Sequence, residues 1–228
     1  MTADKSEPDV QAEAAAHDPA QAEKEMSPLM RRVSALLGER ILEHHCFRGD
    51  DRIHVAREHI LEVGQILRDD PELAFDLLLD VTAIDYLGQP DDFEKKHEIW
   101  DQERPVLHRR PASRHELALP PRGSHPRFAV VYHLTSTSWF HRLRIKCRVP
   151  EDDPVIASLT PVWPGANWLE RETYDLYGIQ FSGHPDLRRI YLNEEFVGHP
   201  LRKDYRKWDE QPIQPYVGPG AKEPRRPH

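Results

Sequence analysis

The residues best suited to chemistry lie in one run, Glu170-Arg171-Glu172-Thr173-Tyr174-Asp175-Leu176-Tyr177-Gly178. On a helix, Glu172 and Asp175 stand three positions apart on one face, where paired carboxylates could serve a hydrolase as acid and base. The same spacing has a plainer structural reading. Arg171 and Asp175 are i, i+4 neighbours that pair across one turn, which makes the run an ion-paired helix surface. Two similar turns follow, Ser182-Gly183-His184-Pro185 and Val197-Gly198-His199-Pro200. The first leads into Arg188-Arg189 and the second into Arg202-Lys203-Asp204. Gly-His-Pro turns direct an extended chain, which suits a strap better than a pocket.

Other chemistries lack their residues. No G-x-G-x-x-G or G-x-x-x-x-G-K-[ST] occurs, and in Gly218-Pro219-Gly220 the proline removes an N–H that a phosphate cradle would need. H-E-x-x-H and G-x-S-x-G are also missing. His44-His45-Cys46 is the nearest thing to a ligand cluster, but adjacent strand positions point to opposite faces. His97, His108, His115 and His125 are irregularly spaced and read as solvated loop residues. Two cysteines, Cys46 and Cys147, exclude a C-x-x-C pair, a four-cysteine zinc site and an iron–sulfur cluster built by this chain alone. One disulfide between them stays open beside the reading as two buried thiols in a reducing compartment.

A net charge of −8 argues against a general nucleic-acid binder. No apolar run approaches the ~18 residues of a membrane span, so membrane contact would be peripheral or through a partner. With no secretory or transit pattern, a cytoplasmic location is the expectation.

The elements that must position these residues occupy only part of the 228-residue chain, whose 38% hydrophobic content is below the about 45–50% usual for a compact domain. Residues 1–26 hold seven acids against two lysines and read as a disordered acidic tail. A core domain is predicted over 27–192. Ser27-Pro28 starts a helix with Leu29, Val33, Leu36 and Leu37 inward, and Gly38 ends it. Residues 40–56 read as extended, with a strand at 52–55. A second helix is predicted over 57–69, with Ile60, Leu61, Gly64 and Leu67 inward. Residues 76–86 read as a buried strand, although the first half also fits a helix.

Residues 89–126 balance seven acids with seven bases among six prolines and read as an inserted loop. Over 127–149, period-2 alternation around Thr135-Ser136-Thr137-Ser138 predicts an antiparallel hairpin. It has Leu143, Ile145, Cys147 and Val149 on one face. Arg142, Arg144, Lys146 and Arg148 lie on the other, read as a solvated face rather than a dock for an acidic partner. A short helix is predicted over 168–177, with Asn167 as cap, Glu170 in capping-box position and Gly178 as its end. Beyond Leu192 no core pattern continues. Residues 193–228 read as an extended partner-binding tail, with Tyr205, Trp208, Ile213 and Tyr216 strewn among prolines. The sum is an α+β domain: a mostly antiparallel sheet with helices on one face, plus a long extended C-terminal tail.

Residues 170–192, ERETYDLYGIQFSGHPDLRRIYL, resemble the signature of the 30 kDa subunit family, the C subunit of proton-pumping NADH:quinone oxidoreductase, respiratory complex I. Glu170, Arg171, Glu172, Asp175, Leu176, Tyr177, His184, Arg188, Ile190 and Tyr191 fit the pattern, and Gly198-His199-Pro200-Leu201-Arg202-Lys203-Asp204-Tyr205 and the strand RFAVVYHL extend it. The similarity is specific over about 127–206 and weaker over 33–86, while the insert 89–126 departs from the family's short loop.

The resemblance implies a peripheral-arm subunit of a translocase, set against the subunit that forms the quinone cavity. In that complex electrons pass from NADH through FMN and iron–sulfur clusters to quinone, driving proton translocation. It further implies that this chain holds no flavin, cluster, nicotinamide or metal, has no catalytic residue, and meets the bacterial inner membrane only through the complex, on its cytoplasmic side. The charged and histidine positions of the signature, Glu170, Arg171, Glu172, Asp175, His184 and Arg188, with Arg189, His199, Arg202, Lys203 and Asp204, become candidates for the partner interface. A homologous subunit of a membrane-bound hydrogenase or of a plastoquinone-reducing complex is the near alternative. The hydrolase using Glu172 and Asp175 is the alternative from another class.

Overall fold

The computed structural model describes residues 26–47, 49–87 and 126–205. The acidic stretch 1–25, nearly all of the insert, and the chain beyond Tyr205 with Trp208, Ile213 and Tyr216 lie outside them. Helix α1 (Pro28–Leu37) starts as its caps require. The Ser27 hydroxyl accepts the Met30 N–H at 3.1 Å and donates to Asp51 Oδ2 at 2.6 Å. Gly38, at φ +50°, ends it. The buried stripe is Met30, Val33 and Leu37, with Leu29 and Leu36 only partly buried.

Strands β1 (Ile41–Phe47) and β2 (Asp50–Val55) form an antiparallel hairpin. A single 3-10 turn then leads into α2 (Ile60–Asp69), which buries Ile60, Val63, Gly64 and Leu67. Leu61, expected inward, is half-buried, and Val63 takes its place. Residues 76–86 prove to be strand throughout their apolar stretch, as β3 (Leu77–Asp85). Strands β4 (Phe128–Thr135) and β5 (Arg142–Val149) form the predicted hairpin, in register from Phe128↔Val149 to Thr135↔Arg142.

The sheet order is β1-β2-β5-β4-β3. Three neighbouring pairs are antiparallel and β2–β5 is parallel. Short strands β6 (Val155–Ala157) and β7 (Gln180–Ser182) pair in parallel and bracket helix α3 (Ala166–Tyr177). All three helices contribute to one core with the inner side of the five-stranded sheet, where Phe128, Tyr132, Ile145 and Cys147 are fully buried. Burying each large apolar side chain contributes roughly 1.5–3 kcal/mol, so this layer is what holds the helices to the sheet. The architecture is the expected α+β class.

Three local expectations need correction. Cys147 is buried on the core face, but Cys46, on the edge strand β1, is exposed, and both thiols are free. The basic side of the hairpin is not simply solvated, because Lys146 is buried and the Arg148 guanidinium lies 4.2 Å over the Tyr86 ring. Helix α3 begins at Ala166 with Gly165 at its N-cap and no side-chain cap, so neither Asn167 nor Glu170 does the capping predicted for it.

Candidate functional site

Helix α3 presents the signature to its own chain. Thr173 Oγ1 donates to Val81 O of β3 at 3.0 Å, which seats the helix on the sheet. One turn earlier, Glu170 is fully buried. Its carboxylate accepts the Ser158 hydroxyl at 2.6 Å and the Leu159 N–H at 2.7 Å, with Thr160 Oγ1 at 3.4 Å. These ties run back to the segment between β6 and α3. Burial pushes the Glu170 carboxyl up to about 7, against the three hydrogen bonds that favour its charge.

Asp175 is also fully buried, and it is saturated. Oδ1 accepts Arg189 Nη1 at 2.9 Å, while Oδ2 accepts the backbone N–H groups of Ile190, Tyr191 and Leu192 at 3.1, 2.8 and 3.0 Å. Burial alone would raise this carboxyl. The donors outweigh it and hold Asp175 below the usual carboxylate range. The predicted Arg171–Asp175 pair does not form. Arg171 instead lies 4.7 Å over the Trp168 ring and donates from Nε to the Arg188 carbonyl at 3.1 Å. Glu172 is half-buried and makes no ion pair among the described residues. With Asp175 enclosed and fully hydrogen-bonded, the two carboxylates cannot share a substrate, and the hydrolase geometry is lost.

The two Gly-His-Pro turns are fastened to the helix. His184 Nε2 lies 3.1 Å from Asn167 O, and its Nδ1 accepts the Asp186 N–H at 3.0 Å, a pattern that suits the neutral ring protonated at Nε2. His199 Nδ1 lies 2.9 Å from Asp175 O; burial, aided by Arg202 and Arg189, lowers its basicity. Arg189 Nη2 reaches back to Gly198 O at 3.2 Å. Arg188 faces outward, 3.0 Å from Asp186 Oδ2.

Residues 193–205, expected to leave the core, fold back on it instead. Leu201 N–H bonds to Leu176 O at 3.1 Å, and Arg202 donates from Nε to the Tyr177 carbonyl with its guanidinium 5.1 Å from the Phe128 ring. Lys203 N–H bonds to Asp85 Oδ2 at 2.8 Å. Asp204 grips Arg127 at two points, 2.7 and 3.1 Å. Gly178 makes the approach possible: its φ is +73°, and a Cβ there would collide with the His199 ring and the Arg202 guanidinium.

Sequence reasoning missed the receiving end. Asp85 closes β3 and Arg127 precedes β4, so the chain reversal places them together. Arg127 binds Asp85, Asp204 and Glu151 at once. Burial works against its charge, but the three carboxylates raise its affinity for the proton well above normal. A charged residue at the last position of one strand and its opposite just before the next was the available signal. Chemically the arrangement is a clasp: the guanidinium groups of Arg127, Arg171, Arg188, Arg189 and Arg202 are bound to carboxylates, carbonyls or ring faces of this same chain. No group of three potential metal ligands occurs among the described residues, and His44 and His45 bond to Asp51 and Glu43 on opposite faces.

Residues 53–211 match the family described as respiratory-chain NADH dehydrogenase, 30 Kd subunit. The NADH-quinone oxidoreductase C subunit of Roseiflexus castenholzii is 40% identical over 176 residues, covering 77% of this chain and 81% of its own. The protein of the same name from Legionella pneumophila strain Corby is 42% identical over 179 residues, covering 78% and 76%. A chain of an archaeal membrane-bound sulfane sulfur reductase shares the fold, with TM-score 0.56 and 18% identity over 82% of this chain and 86% of its own.

Proposed function

The chain belongs to the 30 kDa subunit family of respiratory-chain NADH dehydrogenase, and we propose that it acts there as a structural subunit of the peripheral arm. On this reading it binds no flavin, cluster, nicotinamide or metal. The FMN and iron–sulfur clusters reside in partner subunits, and the quinone-cavity subunit is its chief neighbour. The complex as a whole is a translocase that moves electrons from NADH to quinone. No helix among the described residues is long and apolar enough to cross a membrane. On this reading the chain is attached peripherally, through the complex, on the cytoplasmic face of the inner membrane.

The observation that carries this reading is Asp175. A carboxylate kept for chemistry needs access, and this one is enclosed and holds four donors from the segment that follows. The inward signature therefore serves to set the strap's course. Its outward groups, Arg188 and Lys203 with Tyr191, Val197 and Leu201, are the surface offered to a partner. Residues 193–205 complete the domain on this view, and the partner-binding tail begins after Tyr205.

The test compares assembly with activity in the same membranes. Glu172→Gln is expected to leave both the assembled complex on native gels and quinone-linked NADH oxidation near wild type. Full assembly with activity gone would reinstate a chemical role and end the structural reading. The purified chain is expected to show no visible absorbance and no stoichiometric iron or flavin.

A further inference from the structure

Among the described residues the most exposed large apolar side chain is Phe140, at 88%, and Trp139 beside it is 57% exposed. Both stand in the turn between β4 and β5, and that turn is tightly held. Ser136 N–H bonds to His141 O at 3.0 Å, Phe140 N–H to Ser136 O at 2.9 Å and Trp139 N–H to Ser136 Oγ at 3.2 Å. The segment between α2 and β3 grips the turn from the side. Trp139 Nε1 donates to Pro71 O at 3.0 Å, His141 Nε2 lies 2.7 Å from Leu73 O, and Thr137 donates both its N–H and its hydroxyl to the Asp76 carboxylate. The His141 ring packs 4.8 Å from Phe75 of the core. Phe140 sits at φ +58°, and Ala74, in the gripping segment, at +41°; they are the two non-glycine residues with positive φ among the described residues. A bulky L-residue in that region is strained, and strain of this kind gathers where a side chain must be aimed. Here it aims a phenyl ring into solvent.

We propose that this turn is a second docking surface, an aromatic tip that enters an apolar pocket rimmed by Lys and Arg on a neighbouring subunit of the complex. The apolar character continues along the edge strand: Leu77 and Leu79 of β3 are exposed, and Leu77 pairs with Thr135, the residue before the turn. Charge sets the pocket's rim. Residues 69–80 hold five acids and no lysine or arginine. Asp76 and Asp80 are exposed and make no ion pair among the described residues, and with Glu72 they outnumber Arg142 at the start of β5. Complementary charge steers encounter and fixes register, while buried aromatic anchors supply most of the binding energy. The turn's hydrogen bonds order it in advance, so little freedom is lost on docking. The site lies at the end of β3 away from the Asp85–Arg127 clasp, about 25 Å along the strand, so it is separate from the surface carried by the strap. The inference rests on the reading of the chain as an assembled subunit.

Phe140→Gly removes the ring and suits the positive φ. The purified full chain carrying it is expected to unfold at the wild-type urea concentration or above, while the assembled complex on native gels falls several-fold. A merely structural Phe140 would not separate the two readouts in this way. In intact membranes, Phe140→p-benzoylphenylalanine is expected to photocrosslink to an apolar residue of another subunit, in a peptide that carries Lys or Arg. A crosslink to this chain's own insert or tail, to a second copy, to lipid or to an acidic peptide overturns the proposal. Wild-type chain in the complex together with undiminished assembly of Trp139→Ala/Phe140→Gly overturns it too, and leaves the subunit reading intact. Absence of the wild-type chain from the complex would instead end the subunit reading and this inference with it. Should Phe140→Gly lower the urea midpoint, the crosslink decides alone.

Discussion

Arg127 and Asp85 meet as a two-point pair where β3 ends and β4 begins, Nε to Oδ1 at 3.0 Å and Nη2 to Oδ2 at 2.8 Å, with both side chains buried. The same Asp85 carboxylate receives the Lys203 N–H, and the same guanidinium receives Asp204. One ion pair thus fastens the sheet to the end of the described chain. Breaking a buried pair from one side leaves its partner's charge uncompensated. Asp85→Ala is expected to cost about 3–5 kcal/mol in urea unfolding. Asp204→Ala, on the exposed rim, should cost far less. Equal losses from the two would show that the pair is not the anchor.

The end of the chain offers a sharper dissection. Truncation after Leu201 removes Arg202, Lys203 and Asp204 and with them three fastenings to Tyr177, Asp85 and Arg127. Truncation after Tyr205 keeps all three. The longer fragment is expected to melt like the full chain yet fail to enter the complex on native gels. The shorter one should melt at a lower temperature. Normal assembly of the fragment ending at Tyr205 would remove the tail from the partner interface.

Gly178 is the point of closest approach between α3 and the strap. Gly178→Ala places an L-residue at φ +73°, which costs about 1–2 kcal/mol by itself, and drives a methyl into His199 and Arg202. The expected result is selective release of residues 193–205, seen as new protease cleavage there at temperatures where the sheet still holds.

Glu170 gives a pH dependence with a defined sign. Its carboxyl titrates near 7 in the folded chain and near 4.5 once that burial is lost. The unfolded state therefore releases its proton first. The contribution of this group is fully present below about pH 4.5 and is lost as pH rises to about 7, a loss of about 3 kcal/mol. Glu170→Gln cannot titrate. Whatever its own cost, its stability relative to wild type is expected to improve as pH rises from about 4.5 to about 7 and to level off above that, read by urea midpoints across the range. A flat difference would mean that Glu170 is ionised at neutral pH without penalty.

The insert's two ends lie side by side, since Tyr86 N–H bonds to Arg127 O at 2.8 Å. Replacing 89–126 by a short turn needs no rearrangement of β3 or β4, and loop-closure entropy varies only slowly with length. The shortened chain is expected to keep a thermal midpoint within a few degrees of wild type, provided Arg127 is retained. A collapse of that midpoint would show that the insert contributes to the core.

Local features were legible from residue order alone. The Ser27-Pro28 start, the Gly38 and Gly178 stops and the alternation along β4 and β5 act within a few residues, through backbone geometry and a two-residue period. The signature at 170–192 was enough for the family, because it is a pattern of residue types and needs no coordinates. The partners of the buried charges were a different matter. At i, i+4 spacing Arg171 was the natural mate for Asp175, but the structure supplies Arg189 and three backbone N–H groups from the returning strap. Glu170 was placed to cap its own helix and instead binds Ser158 and Leu159. A buried carboxylate is satisfied by whichever donors the packing brings within hydrogen-bond reach, and here those donors arrive from segments whose approach only the assembled sheet and helices determine.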